Sequence, residues 1–308
     1  MISIFSTFKP FRGHNRVIQL NALRSWLRFC PPCEVIALGD DEGVAEVAKE
    51  HGIKHIPELE KNEFGTPLLS SIVKQINRAA SHDIICYVNG DIIILGDLVE
   101  TVQYVIGRFN NFLITADRYS IPMIDIIDFR NPTWQIQLRN LAKGNLEQGP
   151  DIFIFRKGFV QKTPPLAVGR GLWSRFFVYT AYKNRIPYID ATERLFLVHQ
   201  QHDYAHIKSA SHIAPKNKTI KKFSKENASN RKLMGRAKFF LPGYYGWVLS
   251  SEGLKRYNLM RYSLRLVFVS IFINRRLRLI PWLTSFLIRQ KVLRFLAMRI
   301  YKIFKKYL

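Results

Sequence analysis

Short apolar runs of strand length alternate, along the first half of the chain, with segments in which apolar residues recur every three or four positions. The runs are typical of buried strands, and the recurrence is typical of helices that bury one face. The pattern predicts strands over residues 2–8, 34–38, 53–56, 84–88, 111–115 and 151–155, and helices over residues 17–27, 43–51, 67–80 and 97–107. Regular alternation of strand and helix indicates an α/β fold, with a mostly parallel sheet and helices on both of its faces.

One polar triplet, Asn89-Gly90-Asp91, interrupts the most apolar part of this region, between residues 84–88 and 92–95. At the carboxyl end of a central parallel strand, polar residues mark the edge of the sheet where ligands bind. Asn-Gly between two apolar runs is also the strongest short signal for a β-hairpin. The triplet leaves both interpretations open. Under the first, the Asp91 carboxylate suits a divalent cation that bridges two phosphates.

Glycine-rich phosphate-binding fingerprints are absent from the sequence. No G-x-G-x-x-G follows the first predicted strand, and no G-x-x-x-x-G-K-[ST] occurs anywhere in the chain. The phosphates of a nucleotide would therefore have to be bound in another way, and the sequence indicates a cation held at Asp91.

The charge is distributed unevenly along the 308 residues. The net charge is +24 and the apolar fraction is 47%, which is typical of a globular protein. Residues 1–203 hold 23 Lys or Arg and 21 Asp or Glu, whereas residues 204–308 hold 24 Lys or Arg and only two acids, Glu226 and Glu252. We therefore expect a nearly neutral α/β domain over residues 1–205 and a basic, helical region over residues 206–308.

The end of the basic region has the pattern of a helix with one cationic side. Plotted at 100° per residue, one arc holds Lys291, Arg294, Arg299, Lys302, Lys305 and Lys306. Apolar residues fill much of the remaining circumference, and such helices lie on anionic membrane surfaces. Nucleic-acid binding and ordinary packing helices are the alternatives. We expect a membrane-surface partner and no nucleic-acid partner, because no nucleic-acid-binding module is recognisable.

The N-terminus and the cysteines indicate a cytoplasmic protein. Residues 1–10 have no basic n-region and only a short apolar run, so we expect no signal peptide. No stretch approaches the 18 or so uninterrupted apolar residues of a membrane span. Three cysteines are too few for a disulfide framework. With the basic tail, this predicts peripheral attachment to the inner face of the cell membrane.

Residues 1–205 resemble the GT-A glycosyltransferases, which hold Mn²⁺ or Mg²⁺ against a nucleotide-diphospho-sugar with a D-x-D motif. The likeness rests on the strand that ends in V-N-G-D at residues 88–91, on G-P-D-I-F-I-F at 149–155, on Y-I-D-A-T at 188–192 and on V-H-Q-Q-H-D-Y at 198–204. It is closest in kind to bacterial transferases of polysaccharide biosynthesis. The chain departs from the motif at Asn89, which stands where the first Asp is expected and weakens the case for metal dependence.

The resemblance implies roles for individual residues at the strand ends. Asp91 would hold the metal, with His202 completing the metal site. The nucleotide-sugar would contact a set of residues around the ends of the first, second and fourth predicted strands: Thr7, Lys9, Asp40, Gly65, Thr66, Asn89 and Asp91.

Two further residues are candidates on the acceptor side. Asp151 follows Gly-Pro and precedes an apolar run, which places a carboxylate at the mouth of the sheet, where it would deprotonate an acceptor hydroxyl. A turn carboxylate that caps a backbone amide is the alternative. Trp173 would stack on an acceptor sugar, although such a residue is more often part of a core.

These expectations combine into a glycosyltransferase for hexosyl or related sugar transfer. The donor would be a nucleotide-diphospho-sugar, and the acceptor a saccharide or a lipid-linked molecule. Two alternatives stay open: a sugar-phosphate nucleotidyltransferase, which shares the sheet type, and a non-catalytic membrane- or nucleic-acid-binding protein built on a transferase-like fold.

Overall fold

The structure is a computed structural model that describes residues 1–29, 33–122, 124–147, 149–201, 218–235, 237 and 246–256. Its first compact unit runs from Met1 to Tyr257. The described helices are α1 (Gly13–Leu27), α2 (Val44–Glu50), α3 (Leu69–Ala79), α4 (Leu98–Ile106), α5 (Trp134–Ala142), α6 (Arg175–Lys183), α7 (Thr192–Leu195) and α8 (Lys218–Leu233). The described strands are β1 (Ile2–Thr7), β2 (Cys33–Leu38), β3 (Lys54–Ile56), β4 (Ile84–Val88), β5 (Ile92–Ile94), β6 (Leu113–Thr115), β7 (Arg118–Pro122), β8 (Leu146–Glu147), β9 (Ile152–Arg156), β10 (Tyr188–Asp190), β11 (Leu197–Gln201), β12 (Trp247–Ser250) and β13 (Gly253–Arg256).

Nine strands form one large, mostly parallel sheet in the order β13-β12-β10-β6-β9-β4-β1-β2-β3. β1 is the third strand from one edge and pairs in parallel with β2 and β4. β9 is the exception inside the sheet, because it runs antiparallel to both β4 and β6. The predicted α/β class is confirmed, and the predicted strands and helices agree with the observed ones to within about two residues at most ends.

Apolar side chains fill both faces of the large sheet. Along β4 every residue is buried, and successive residues contribute to opposite faces. Cys86 packs on the face that carries α1, α2 and α4, whereas Ile85 and Tyr87 pack on the face that carries α3 and α6. This two-sided burial explains why the sequence of β4 reads as an uninterrupted apolar run.

The polar triplet after β4 is not a hairpin turn. β4 lies in the large sheet, whereas β5 lies in a second sheet of order β5-β11-β7-β8, where it pairs antiparallel with β11. Asn89, Gly90 and Asp91 therefore carry the chain from one sheet to the other. A Cβ at Gly90 would lie 2.7 Å from the carbonyl oxygen of Thr7, so only glycine fits this close approach to β1.

The large sheet continues past residue 205, where the sequence predicts a helical region. β12 pairs in parallel with β10, and β13 folds back antiparallel on β12. The predicted boundary at residue 205 falls inside the first compact unit, and β12 and β13 are strands within the region, residues 206–308, that the sequence predicts to be helical. Neither strand has a strong apolar alternation, because each lies toward the edge of the sheet.

The predicted amphipathic tail, with residues 291–306, lies outside the described residues. Within the described part of the chain, no helix is long and apolar enough to cross a membrane.

Candidate active site

Four strands of the large sheet deliver polar side chains to one edge. β1, β2 and β4 end there in parallel, and the antiparallel β9 begins there. The backbone shows the juxtaposition directly, because the N–H of Asn89 donates to the carbonyl oxygen of Asp151 at 3.0 Å. The reversed direction of β9 thus brings the predicted base to the end of the strand that carries Asp91.

Asp151 is half-buried, and both of its carboxylate oxygens are hydrogen-bonded at this edge. One carboxylate oxygen accepts a hydrogen bond from Nδ2 of Asn89 at 2.7 Å, and the other accepts from Nη1 of Arg118 at 2.6 Å. Burial raises the pKa of Asp151 to about 6, although the positive charge of Arg118 opposes the shift. The carboxylate of Asp91 is close enough to raise this pKa further. Asp151 is therefore a carboxylate that can exchange a proton near neutral pH.

Arg118, the first residue of β7, is a site residue that sequence reasoning missed. Its guanidinium donates to Asp151, to Glu147 at 3.2 Å and to the carbonyl oxygen of Gly149 at 3.3 Å. β7 was not among the predicted strands, since its sequence has no run of apolar residues. Only the pairing of β7 with β11 and β8 places Arg118 here.

Asp91 faces a histidine from the second sheet. Oδ2 of Asp91 lies 3.6 Å from Nε2 of His199, which is 6% exposed and sits on β11. The pairing of β11 with β5 puts His199 beside Ile92, the residue after Asp91. The predicted metal ligand His202 lies outside the described residues, so the imidazole that the structure brings to Asp91 is that of His199.

The groups around Asp91 suit a divalent cation that takes most of its ligands from the phosphates of the substrate. Among the described residues, no group of three or more His, Cys, Asp or Glu is arranged to hold a metal ion. Mg²⁺ and Mn²⁺ are commonly bound through one or two carboxylates, with substrate phosphates and water supplying the other ligands. Asp91 supplies such a carboxylate, and the imidazole of His199 lies beside it.

Lys9 and Thr7 lie at the end of β1, beside Asp91. The side chain of Gln19 fixes the backbone of Lys9, accepting from its N–H at 2.6 Å and donating to its carbonyl oxygen at 2.9 Å. Burial lowers the pKa of Lys9, while the charge of Asp91 opposes that shift. The Thr7 hydroxyl lies 3.2 Å from the hydroxyl of Tyr87, whose pKa burial raises to about 12. Lys9, two residues after the end of β1, thus places a positive charge near Asp91.

The remaining predicted donor-side residues lie on the β2 side of the edge. Asp40, just after β2, accepts from Nζ of Lys61 at 2.5 Å and is largely exposed. Gly65 has φ +74°, and Thr66 is 5% exposed. These two residues belong to the loop that precedes α3, as does Lys61, so the loop and the end of β2 are joined by an ion pair.

Trp173 is part of the hydrophobic core. It is 6% exposed and its ring makes edge contacts with Tyr87 and Phe153, at centroid distances of 5.9 and 5.6 Å. A residue packed in this way has no free ring face for a sugar. The prediction that Trp173 stacks on an acceptor is therefore wrong, because this aromatic side chain fills the space between α6 and the sheet.

Comparison with known proteins finds structural likeness at low sequence identity. No protein-family model matches the chain, and no curated protein matches its sequence. Residues 1–349 of TarS from S. aureus, in complex with UDP-GlcNAc, superpose with a TM-score of 0.45 and 14% identity, over 74% of this chain and 66% of that one. The chain thus spans slightly less than two thirds of that TarS structure.

Two other solved structures give similar values. Glucosyl-3-phosphoglycerate synthase from Mycobacterium tuberculosis, in complex with Mn²⁺, UDP-glucose and phosphoglyceric acid, gives a TM-score of 0.43 and 13% identity over 79% of this chain and 81% of that one. A Bacillus anthracis protein assigned as a glucose-1-phosphate thymidylyltransferase gives a TM-score of 0.42 and 7% identity, over 72% of this chain and 99% of that one. These values are too low to assign a substrate or an activity to this chain.

Proposed function

We propose that this chain is a glycosyltransferase that moves a sugar from a nucleotide-diphospho-sugar to a saccharide or a lipid-linked acceptor. The observation that supports the proposal is the convergence, at one edge of a parallel sheet, of a phosphate-side group and a proton-accepting group. Asp91, Lys9 and His199 form the first, and Asp151 with its partner Arg118 forms the second. The V-N-G-D resemblance at residues 88–91 supports the same assignment.

On the donor side, the site would stabilise the departing diphosphate. Lys9 supplies positive charge from the end of β1, and Asp91 with His199 would hold Mn²⁺ or Mg²⁺. When bound, that cation would supply further neutralisation of the charge that develops on the leaving group.

On the acceptor side, Asp151 would take the proton of the attacking hydroxyl. The acceptor oxygen forms a bond to the anomeric carbon, its proton moves to the Asp151 carboxylate, and the bond from that carbon to the diphosphate breaks. A base in this position is required for inversion of the anomeric centre, and we propose that stereochemistry. Arg118 and Asn89 hold the carboxylate in place by one hydrogen bond to each oxygen.

Ligand-induced stabilisation tests the donor assignment. We would measure the Tm of the protein with a panel of nucleotide-diphospho-sugars, each with Mn²⁺, Mg²⁺ or a chelator. A ligand at 100 times its Kd adds about 2.7 kcal/mol to the free energy of unfolding, which moves the Tm by several degrees. We expect a metal-dependent shift for one nucleotide class in the wild type and loss of that shift in Asp91→Asn.

The matched control is Asp128→Asn, which removes an exposed carboxylate that bonds only to Arg130 nearby in sequence. It should keep the full ligand response. A wild-type protein that responds to no donor would contradict the proposal. Binding without sugar turnover would favour the non-catalytic alternative, and release of pyrophosphate from a nucleoside triphosphate and a sugar phosphate would favour the nucleotidyltransferase.

A role in building surface polysaccharides, at the cytoplasmic face of the membrane, completes the proposal. It is supported by the basic composition of residues 204–308 and by the resemblance of residues 1–205 to transferases that use lipid-linked acceptors. The attachment segment itself, over residues 257–308, lies outside the described residues.

A further inference from the structure

Helix α8 packs on the folded unit through polar side chains. Glu226 and Asn230, one helical turn apart, are each 1% exposed. A buried carboxylate is costly unless hydrogen-bond donors and a cation surround it. Glu226 is also one of only two acids among the last 105 residues of the sequence, so its buried position in a strongly basic segment calls for a specific partner.

The partners of Glu226 come from two different loops. Its Oε2 accepts from Nε of Arg170 at 2.6 Å, and its Oε1 accepts from Nδ2 of Asn62 at 2.8 Å. Burial raises the pKa of Glu226, but the hydrogen bonds from Asn62, Thr66 and Arg170 outweigh that effect and leave the pKa below its usual value. The carboxylate is therefore charged in the folded protein.

The first partner organises the loop over residues 61–67. Oδ1 of Asn62 accepts from the backbone N–H groups of Phe64 at 3.0 Å and Thr66 at 2.9 Å, which folds the loop into a tight turn around this side chain. The other end of the same amide is the donor to Glu226. The neighbouring residue, Lys61, reaches Asp40 at the end of β2. A single carboxylate on α8 thus fixes the loop that borders the proposed nucleotide pocket.

The second partner, Arg170, contacts the same loop. Nη2 of Arg170 donates to Oγ1 of Thr66 at 3.3 Å, and its charge is close enough to Lys9 to lower the pKa of that amine. Arg170 therefore contacts the loop at Thr66, and Glu226 holds its guanidinium there.

A separate set of hydrogen bonds docks α8 independently of Glu226. The side chain of Asn230 accepts from the N–H of Ala167 at 2.8 Å and donates to its carbonyl oxygen at 2.9 Å, and Asn227 accepts from the N–H of Gly171 at 2.7 Å. Loss of the Glu226 carboxylate would thus leave the helix attached while releasing the loop and Arg170.

We propose that Glu226 is a positioning residue of the donor site. Through it, α8 would hold the loop at residues 61–67 and Arg170 in place around the nucleotide. The inference rests on the proposed function and deepens it. It predicts that the basic third of the chain does more than carry charge: helix α8 sets the geometry of the loop at residues 61–67 and of Arg170 for a nucleoside diphosphate.

The test is the Kd of UDP, GDP, ADP, CDP and dTDP, each with Mn²⁺, measured by calorimetry on the full chain. We compare the wild type with Glu226→Gln, which keeps the shape but cannot accept from both partners, and with Arg170→Gln. In both variants, the Kd of the diphosphate that binds the wild type should rise about tenfold, which corresponds to about 1.4 kcal/mol of binding free energy. Glu252→Gln, which removes the other acid of this region from an exposed position, should leave the Kd unchanged.

Hydrogen exchange separates positioning from loss of folding. In Glu226→Gln the amides of Phe64 and Thr66 should exchange faster, while those of Ala167 and Gly171 keep their protection. A folded Glu226→Gln protein whose Kd lies within about twofold of the wild type overturns the inference, whatever its Tm. Absence of binding by the wild type to all five diphosphates overturns the proposed function, and this inference with it.

Discussion

Three carboxylates at the same edge of the sheet lie in different surroundings, and this separates the chemistry open to each. Asp151 is half-buried between Arg118 and Asn89, Asp91 faces His199 and Lys9, and Asp40 is exposed beside Lys61. Burial raises the pKa of the first and hydrogen bonding to Lys61 lowers that of the last. Groups whose surroundings push their pKa values apart are suited to different roles in one reaction.

The proposed base, Asp151, is tested by removing its carboxylate. Asp151→Asn should lower kcat by about 10²- to 10⁴-fold while leaving the Kd of the donor nearly unchanged, because general base catalysis acts on the acceptor hydroxyl. In the wild type, kcat should fall as the pH drops below about 6, where the carboxylate becomes protonated. Steady-state kinetics with varied donor concentration checks both. A variant with full kcat would remove Asp151 from the mechanism.

The same carboxyl should make stability depend on pH. Its folded-state pKa of about 6 lies above the ordinary aspartate value of 3.8, so between these values the folded state binds more protons than the unfolded state. The contribution of Asp151 to the free energy of unfolding therefore falls as the pH rises from about 4 to 6. We expect the Tm of Asp151→Asn, relative to that of the wild type, to increase over this range. Calorimetric scans of both proteins at matched pH values provide the measurement, and parallel curves would contradict the assignment.

At the scale of elements, the direction of β9 and the short bridge after β4 build the site. Because β9 runs antiparallel, its first residues meet the last residues of β4 at the same edge. Because β4 and β5 belong to different sheets, the three residues between them stay at that edge instead of closing a hairpin. The second sheet then supplies Arg118 on β7 and His199 on β11, neither of which the large sheet could place there.

The substitution Gly90→Ala tests whether the segment between β4 and β5 must pass so close to β1. Gly90→Ala would put a methyl group 2.7 Å from the carbonyl oxygen of Thr7 and 3.0 Å from the ring of Phe8. We expect a loss of about 1–3 kcal/mol in the free energy of unfolding, the usual cost of overpacking. Urea titration would measure it. The control is Gly107→Ala, where the nearest atom to the new methyl group is 3.8 Å away, and which should change stability far less.

At the scale of the whole molecule, the unequal distribution of charge is the dominant feature. Residues 204–308 hold about half of the Lys and Arg residues and two of the 23 acids, so the two parts of the chain differ strongly in the charge that they present to an anionic surface. Each Lys or Arg near such a surface contributes about 1 kcal/mol, and this attraction is screened by salt.

Vesicle flotation tests the membrane proposal. The full chain should float with vesicles that contain anionic lipid and dissociate as salt is raised, and it should not bind neutral vesicles. A chain ending at Tyr257, the last residue of the first compact unit, should lose this binding. If the shortened protein still floats with anionic vesicles, the tail is not the anchor. Equal binding of the full chain to neutral vesicles would instead assign the interaction to apolar contacts.

The sequence by itself determined the elements that depend on local pattern. Runs such as residues 84–88 are buried on both faces, and helices such as α3 bury one face, so their apolar residues recur at spacings that are visible without a structure. The positions of Asp91 and Asp151 at strand ends followed from the same pattern. The uneven distribution of charge is visible directly in the sequence. Strands β7, β8, β12 and β13 escaped prediction because they are short, partly exposed or at an edge, and their residues carry little apolar periodicity.

Only the tertiary structure decided which polar residues meet. Asn89 and Asp151 are 62 positions apart, and Arg118 and His199 come from strands of another sheet, so no local spacing links them. The choice between a hairpin and a bridge at Gly90 depended on the partner of β5, and the burial of Trp173 on the packing of α6 against the sheet. Glu226 is part of the donor side for the same reason: contacts between distant segments, which a sequence pattern does not encode locally, set where a charged side chain can be buried.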